Sequence, residues 1–168
     1  EALRRFIDHV EASPFAERCI GYQIASGTTE EWMMWGSNED QWVDYGPANT
    51  ARFRAWLRER YETDAALQAA WSDPNVTFDT AAVPTRAERS ATERGIFRDP
   101  NAAQPCIDYY AYTSWLTADA ILCLARAVKE HAGPDRVVGT FYGYTLQLFG
   151  QRQQNAGHLA LRQLWESP

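Results

Sequence analysis

A short segment of the sequence combines carboxylates with aromatic side chains. It runs from position 26 to position 45, and its acidic and aromatic residues alternate: Glu30, Glu31, Trp32, Trp35, Glu39, Asp40, Trp42, Asp44 and Tyr45. A carboxyl group can act as acid, base or nucleophile, while an aromatic ring can stack on the apolar face of a sugar. An aromatic wall also desolvates a neighbouring carboxyl group, which keeps it protonated as a general acid. These residue types are typical of glycoside chemistry. The alternative is a solvated acidic loop whose tryptophans only pack against the protein.

A second group of candidate residues accompanies the last strand-like apolar run of the sequence. Tyr142 belongs to the run at positions 137–142, and Tyr144 and Gln147 follow it. Tyrosine and glutamine side chains can stack on a sugar ring or bind its hydroxyl groups, whereas Phe141 is better explained by core packing. We expect Tyr142 and Tyr144 to contribute to the same site as the first segment.

Two predicted strands must bring these segments together. Near-continuous apolar runs at 19–25 and 137–142 are typical of buried strands, and each precedes one of the candidate segments. Helices are predicted at 1–12, from Pro47 onward, after a cap at Thr63 or Asp64, at 105–132 and at 157–165, with a loop at 72–104. Ligands of parallel α/β proteins bind at the carboxyl ends of the strands, where both segments would lie.

The order of these elements predicts an α/β fold with parallel strands. Apolar strands separated by helices indicate a parallel sheet that is covered on both faces. Two parallel strands alone would leave both sheet edges bare. We therefore interpret residues 1–168 as part of one larger α/β barrel or sheet, with no internal domain boundary.

Composition excludes several classes of function. The 168 residues carry a net charge of −6, which argues against nucleic-acid binding. No apolar run approaches the roughly 18 residues that a membrane-spanning helix needs. The 3 cysteines lack metal-ligand spacing, and the 3 histidines are isolated, so surface or helix-capping positions are expected for His9, His131 and His158. Neither a nucleophile-elbow motif nor a phosphate-binding or dinucleotide-binding loop occurs, and we expect no metal or cofactor.

Three stretches of the sequence resemble one known enzyme family. Positions 21–24 (Gly-Tyr-Gln-Ile) lead into the acidic segment, 53–61 follow (Phe-Arg-Ala-Trp-Leu-Arg-Glu-Arg-Tyr), and 66–71 end in Trp71. Together they resemble family 42 glycoside hydrolases, the β-galactosidase type. The resemblance implies a (β/α)8 TIM barrel and retaining hydrolysis of terminal β-galactosides by two glutamates, at the ends of the fourth and seventh strands. This chain would then run from about the third helix to the fifth helix.

The sequence departs from that family at the acid/base position. The family pattern is Gln, an apolar residue, Asp, Asn and Glu, and here Gly27 takes the place of the glutamate. Glu31 is our acid/base candidate because Trp32 beside it offers an apolar environment, and Glu30 is the alternative. The nucleophile is expected outside this chain. The expected substrate-binding residues are Trp32, Trp35, Asp44, Tyr45, Tyr142 and Tyr144.

Two other hypotheses remain open at this point. The chain can belong to a catalytically inactive sugar-binding barrel, with Gly27 as the mark of lost chemistry. It can instead be a helical module that binds a partner through positions 105–132, although packing on a barrel explains that apolar helix more simply. The partners expected for the main hypothesis are a carbohydrate substrate and the remainder of the barrel, and oligomer formation is left open.

Overall fold

The computed structural model describes residues 1–36, 41–92, 97–144 and 156–167. Glu39, Asp40 and Gln147 therefore lie outside the described residues. A one-turn 3-10 helix spans Ala16–Arg18 between α1 and β1. The principal elements in chain order are α1 (Ala2–Glu11), β1 (Gly21–Gln23), α2 (Pro47–Tyr61), α3 (Asp64–Trp71), α4 (Arg86–Ser90), α5 (Pro100–Ala132), β2 (Val137–Gly139) and α6 (Leu161–Trp165).

The two strands are parallel, as the sequence predicts, and shorter than their apolar runs. Gly21 pairs with Val137 and Gln23 pairs with Gly139. The backbone of Val137 approaches Gly21 so closely that a Cβ atom there would collide with the Val137 carbonyl group. Glycine is therefore required for this pairing.

Within the described residues, one face of the strand pair is covered. Tyr22 and Ile24 are buried in a cluster with Ile7 of α1 and Ile121 and Val128 of α5. Their side chains alternate along the strand with the exposed Gln23. Both covering helices pack on the Tyr22 side, and the other side of the pair stays open in the described part of the chain.

Helices α2, α3 and α5 form a second core around aromatic rings. Phe53 of α2 packs on Tyr109 and Tyr112 of α5, with ring centroids 5.3 and 5.2 Å apart. The fully buried Asp108 on α5 links the three helices. Its carboxylate accepts hydrogen bonds at 2.7 Å from the Tyr61 hydroxyl and from the Trp71 indole N–H, and at 2.9 Å from the Gln104 amide.

The predicted loop at 72–104 contains helical structure that the sequence analysis missed. Thr85 and Glu88 form a reciprocal capping box that starts the short helix α4. The long helix begins at Pro100 instead of 105, because the Asp99 side chain caps it by accepting from the Asn101 N–H. Ala103 has a non-helical conformation (φ −132°, ψ 24°), and this kink lets the helix contain Pro105. The last helix is shorter than predicted and begins at Leu161.

No helix in the described ranges is both long enough and apolar enough to cross a membrane.

Candidate active site

The chain turns back on itself directly after β1. The Thr28 N–H donates to the Met33 carbonyl at 2.9 Å, and the Trp32 N–H donates to the Ser26 carbonyl at 2.7 Å. Gly27 opens this turn with a φ of +77°, and a Cβ atom there would collide with the Met33 carbonyl oxygen. The turn therefore depends on glycine, and it carries Glu30 and Glu31 at its tip.

Glu31 is held by a hydroxyl group on each carboxylate oxygen. The Tyr144 hydroxyl donates to Oε1 at 2.8 Å, and the Thr29 hydroxyl lies 3.0 Å from Oε2. Tyr144 comes from the segment after β2, so the carboxyl ends of the two strands meet here, as the sequence predicts. Donation to Glu31 is the main cause that raises the pKa of Tyr144 above its ordinary value. Glu30, by contrast, is exposed.

His158 is fully buried beneath this pair, which corrects its expected surface or capping position. The rings of Tyr142 and Tyr144 stack on the imidazole, with centroids 4.7 and 5.4 Å from its own. The Tyr142 hydroxyl donates to the Gly157 carbonyl at 2.9 Å, and burial raises the pKa of Tyr142 to about 12. Sequence reasoning missed His158 because an isolated histidine carries no spacing signal. The apolar residues after it are a weak indication of burial.

The tryptophans of the first segment take different positions. Trp32 is buried in the core under β1, and its indole N–H donates to the Ile24 carbonyl at 3.2 Å. Trp35 is 71% exposed. The sequence does not show that Trp32 is buried and Trp35 exposed, because both are tryptophans of the same acidic segment.

Asp44 is held in place through its backbone. The Tyr109 hydroxyl lies 3.2 Å from the Asp44 N–H and 3.2 Å from its carbonyl, and the Asn49 amide donates to that carbonyl at 2.8 Å. The Asp44 carboxylate accepts from the Gly46 N–H at 2.7 Å and stays exposed. Tyr45 accepts from Arg89 at 3.3 Å through its hydroxyl oxygen.

An open cleft of about 410 Å³ lies between the turn and α5. Three of the predicted substrate-binding residues line it, namely Trp32, Trp35 and Asp44. Its other walls are mostly apolar and include Met33 and Leu116. Glu31, Tyr45, Tyr142 and Tyr144 are not part of its lining. Apart from Tyr45, which contacts Arg89, the predicted site residues in the described ranges therefore form two groups, one around Glu31 and one around the cleft.

Within the described ranges, no three histidine, cysteine, aspartate or glutamate side chains are grouped so that they could hold a metal ion.

These features define a β/α protein whose carboxylate and aromatic side chains meet where two parallel strands end. The chain belongs to glycoside hydrolase family 42, the beta-galactosidase family, whose sequence profile matches residues 27–159. The family resemblance seen in the sequence is therefore confirmed, and the fold of that family is the TIM barrel. Among curated proteins and solved structures, no significant match was found.

Proposed function

We propose that this chain supplies the acid/base part of the active site of a retaining glycoside hydrolase that acts on β-galactosides or related β-glycosides. Glu31 is the acid/base in this proposal. The observation that carries it is the pair of hydroxyl contacts to Glu31 from Tyr144 and Thr29, at the meeting point of the two strand ends. Membership of the family supports the hydrolase activity.

In the first step, Glu31 protonates the glycosidic oxygen while a carboxylate nucleophile attacks the sugar. In the second step, Glu31 removes a proton from the water that hydrolyses the glycosyl-enzyme. The Tyr144 hydroxyl and the Thr29 hydroxyl fix the direction of the carboxyl group throughout. The nucleophile would come from another strand of a complete (β/α)8 barrel, of which this chain forms a part. Retention requires its carboxyl group to lie about 5 to 5.5 Å from that of Glu31.

Substrate binding is assigned to the exposed groups near the turn. Trp35 offers an open indole face for stacking on a sugar, and Asp44 offers a carboxylate for its hydroxyl groups. Trp32 forms the buried wall behind them and supports the turn. Tyr142 belongs to the Glu31 group through its stacking on His158, whereas Tyr45 contacts Arg89.

The test compares Glu31→Ala with Glu30→Ala in the full-length enzyme. General acid assistance contributes ~10²- to 10⁴-fold when the leaving group is poor. Glu31→Ala should therefore lower turnover of natural β-glycosides by that order while sparing the first step on activated aryl glycosides, whose phenolate leaves without a proton. Glu30→Ala is the matched control and should leave the turnover of both substrate types unchanged. If Glu30→Ala abolishes turnover and Glu31→Ala does not, the assignment is wrong by one residue.

One observation favours a second function, an inactive sugar-binding barrel. Glycine occupies the position where the family resemblance implies the acid/base glutamate. This alternative keeps the Trp35 and Asp44 cleft and predicts sugar binding without turnover. It replaces the main proposal if the full-length protein binds sugar but hydrolyses neither natural nor activated aryl glycosides.

A further inference from the structure

His158 is buried on all sides, and its hydrogen bonds fix its protonation state. Nδ1 accepts from the backbone N–H groups of Gly143 at 3.2 Å and Tyr144 at 3.4 Å. A ring nitrogen that accepts cannot carry the proton, so the proton of the neutral ring lies on Nε2. Burial is the main cause that lowers the pKa of His158, which keeps the ring neutral.

The imidazole joins the two segments that build the Glu31 site. The rings of Tyr142 and Tyr144 stack on it. The backbone carbonyls of Glu31 and Trp32 also lie beside it. Nε2 is buried and has no hydrogen-bond partner of good geometry within the described ranges. A second link lies nearby, where the Met34 N–H donates to the Ala156 carbonyl at 3.2 Å.

From this arrangement we propose that His158 is the positioning residue of Glu31. It fixes the backbone at Gly143 and Tyr144 and the plane of the Tyr144 ring, and it thereby holds the Tyr144 hydroxyl on the Glu31 carboxylate. The inference rests on the proposed acid/base role of Glu31. His158 itself does not reach the carboxylate, so its effect passes through Tyr144.

The two tyrosines that stack on His158 differ in what holds them in place. Tyr142 is already held by Gly157 and Ala160 through its own hydroxyl, at 2.9 and 3.1 Å. Tyr144 has no such anchor in the described contacts apart from Glu31, so its ring depends on the imidazole for its position.

The experiment compares two nearly isosteric variants, His158→Asn and His158→Leu, in the full-length enzyme. The Asn side-chain oxygen can take the place of Nδ1 and accept from Gly143 and Tyr144, whereas Leu cannot. His158→Leu should lower kcat on natural β-glycosides by about 10-fold or more with KM changed by less than about 3-fold, because a misplaced catalytic group affects the chemical step. His158→Asn should recover most of that loss. On activated aryl glycosides, the first step should be nearly unaffected in both variants.

Tyr144→Phe provides the second measurement, because it removes the hydroxyl and keeps the ring. It should reproduce the leaving-group-dependent loss, and combining it with His158→Leu should add little. His131→Leu is the surface control, since His131 is exposed and pairs with Asp8 near the distant end of α5. A loss that is equal for natural and aryl substrates, or equal for Asn and Leu, would overturn the inference and leave a purely structural role. If Glu31→Ala itself shows no leaving-group dependence, the proposed function fails instead.

Discussion

At the scale of single residues, the conformation of Gly27 excludes a glutamate at its own position. Its φ of +77° and the nearby Met33 carbonyl leave no room for a side chain. The turn built on Gly27 carries Glu31 to the Tyr144 hydroxyl instead. In the proposed site, a glutamate from a tight turn therefore takes the place of the strand-end glutamate that the family resemblance implies.

Restoring a glutamate at position 27 should consequently fail. Gly27→Ala and Gly27→Glu should each destabilise the fold by about 1–2 kcal/mol or more, because an L-residue is strained at this φ even before the steric collision. Thermal unfolding measures this loss, and Gly133→Ala (φ +95°, with open space around it) controls for backbone strain alone. Recovery of turnover by Gly27→Glu in the Glu31→Ala background would contradict the account.

The sequence favoured Glu31 over Glu30 because of the neighbouring Trp32, and it named Tyr144 as a substrate-binding candidate. It could not show the turn, in which Glu31 meets two hydroxyls while Glu30 remains exposed. His158 could not be found in this way, because its role comes from packing between segments far apart in sequence. Long-range burial of this kind leaves no local pattern.

At the scale of elements, an ion pair joins α1 to the start of β2. Arg136 donates to both carboxylate oxygens of Glu11, at 3.0 and 2.5 Å, and the Tyr22 hydroxyl donates to the same carboxylate at 2.7 Å. Arg136, and then Tyr22, lower the pKa of Glu11 below its ordinary value. This cluster lies at the amino ends of the strands, away from Glu31. It stabilises the fold and is not part of the candidate site.

The cluster of Glu11, Arg136 and Tyr22 predicts that the stability of the fold depends on pH. Because the pKa of Glu11 is lower in the folded state, its contribution is present above the ordinary glutamate pKa of 4.5 and is lost as the pH falls through the folded value. Glu11→Gln should lower the urea midpoint at pH ~7 and reduce the loss of stability on acidification. Glu1→Gln is the control, because its pair with Arg5 is exposed. An unchanged acid dependence in Glu11→Gln would contradict this assignment.

Elements with local signals were predicted well, and those set by distant contacts were not. Pro47 starts α2, and the Thr63 side chain caps α3 by accepting from the Ala66 N–H, both as the sequence indicates. The start of α5 was wrong because Pro105 was taken as the first turn, whereas the Asp99 cap and the kink at Ala103 extend the helix backward. The strands are shorter than their apolar runs because only three residues of β1 pair with β2, and the sequence does not show this pairing.

At the scale of the whole molecule, the open face of the strand pair is the dominant feature. Val137 and Phe141 are 61% and 57% exposed beside the polar Gln23. In the TIM barrel of the family, the inner face of each strand is covered by other strands of the barrel. We infer that this face points to the barrel interior in the complete domain.

Residues 1–168 expressed alone should therefore self-associate or melt without a sharp transition. Replacing Val137 and Phe141 together by serine should reduce the association, because it removes apolar surface from the open face. Phe15→Ser is the control, since Phe15 is also exposed but lies on another surface. Size exclusion and thermal melting make the measurement. A monomer with a sharp cooperative melt would argue against a partial barrel.

The acid/base role of Glu31 is tested most directly by azide rescue of Glu31→Ala in the full-length enzyme. Without its base, this variant should accumulate the glycosyl-enzyme on an activated aryl β-glycoside, because attack by water becomes limiting. Azide needs no base, so it should accelerate turnover and give a β-glycosyl azide by attacking the face that water uses. No acceleration by azide, or rescue of Glu30→Ala in its place, would contradict the account.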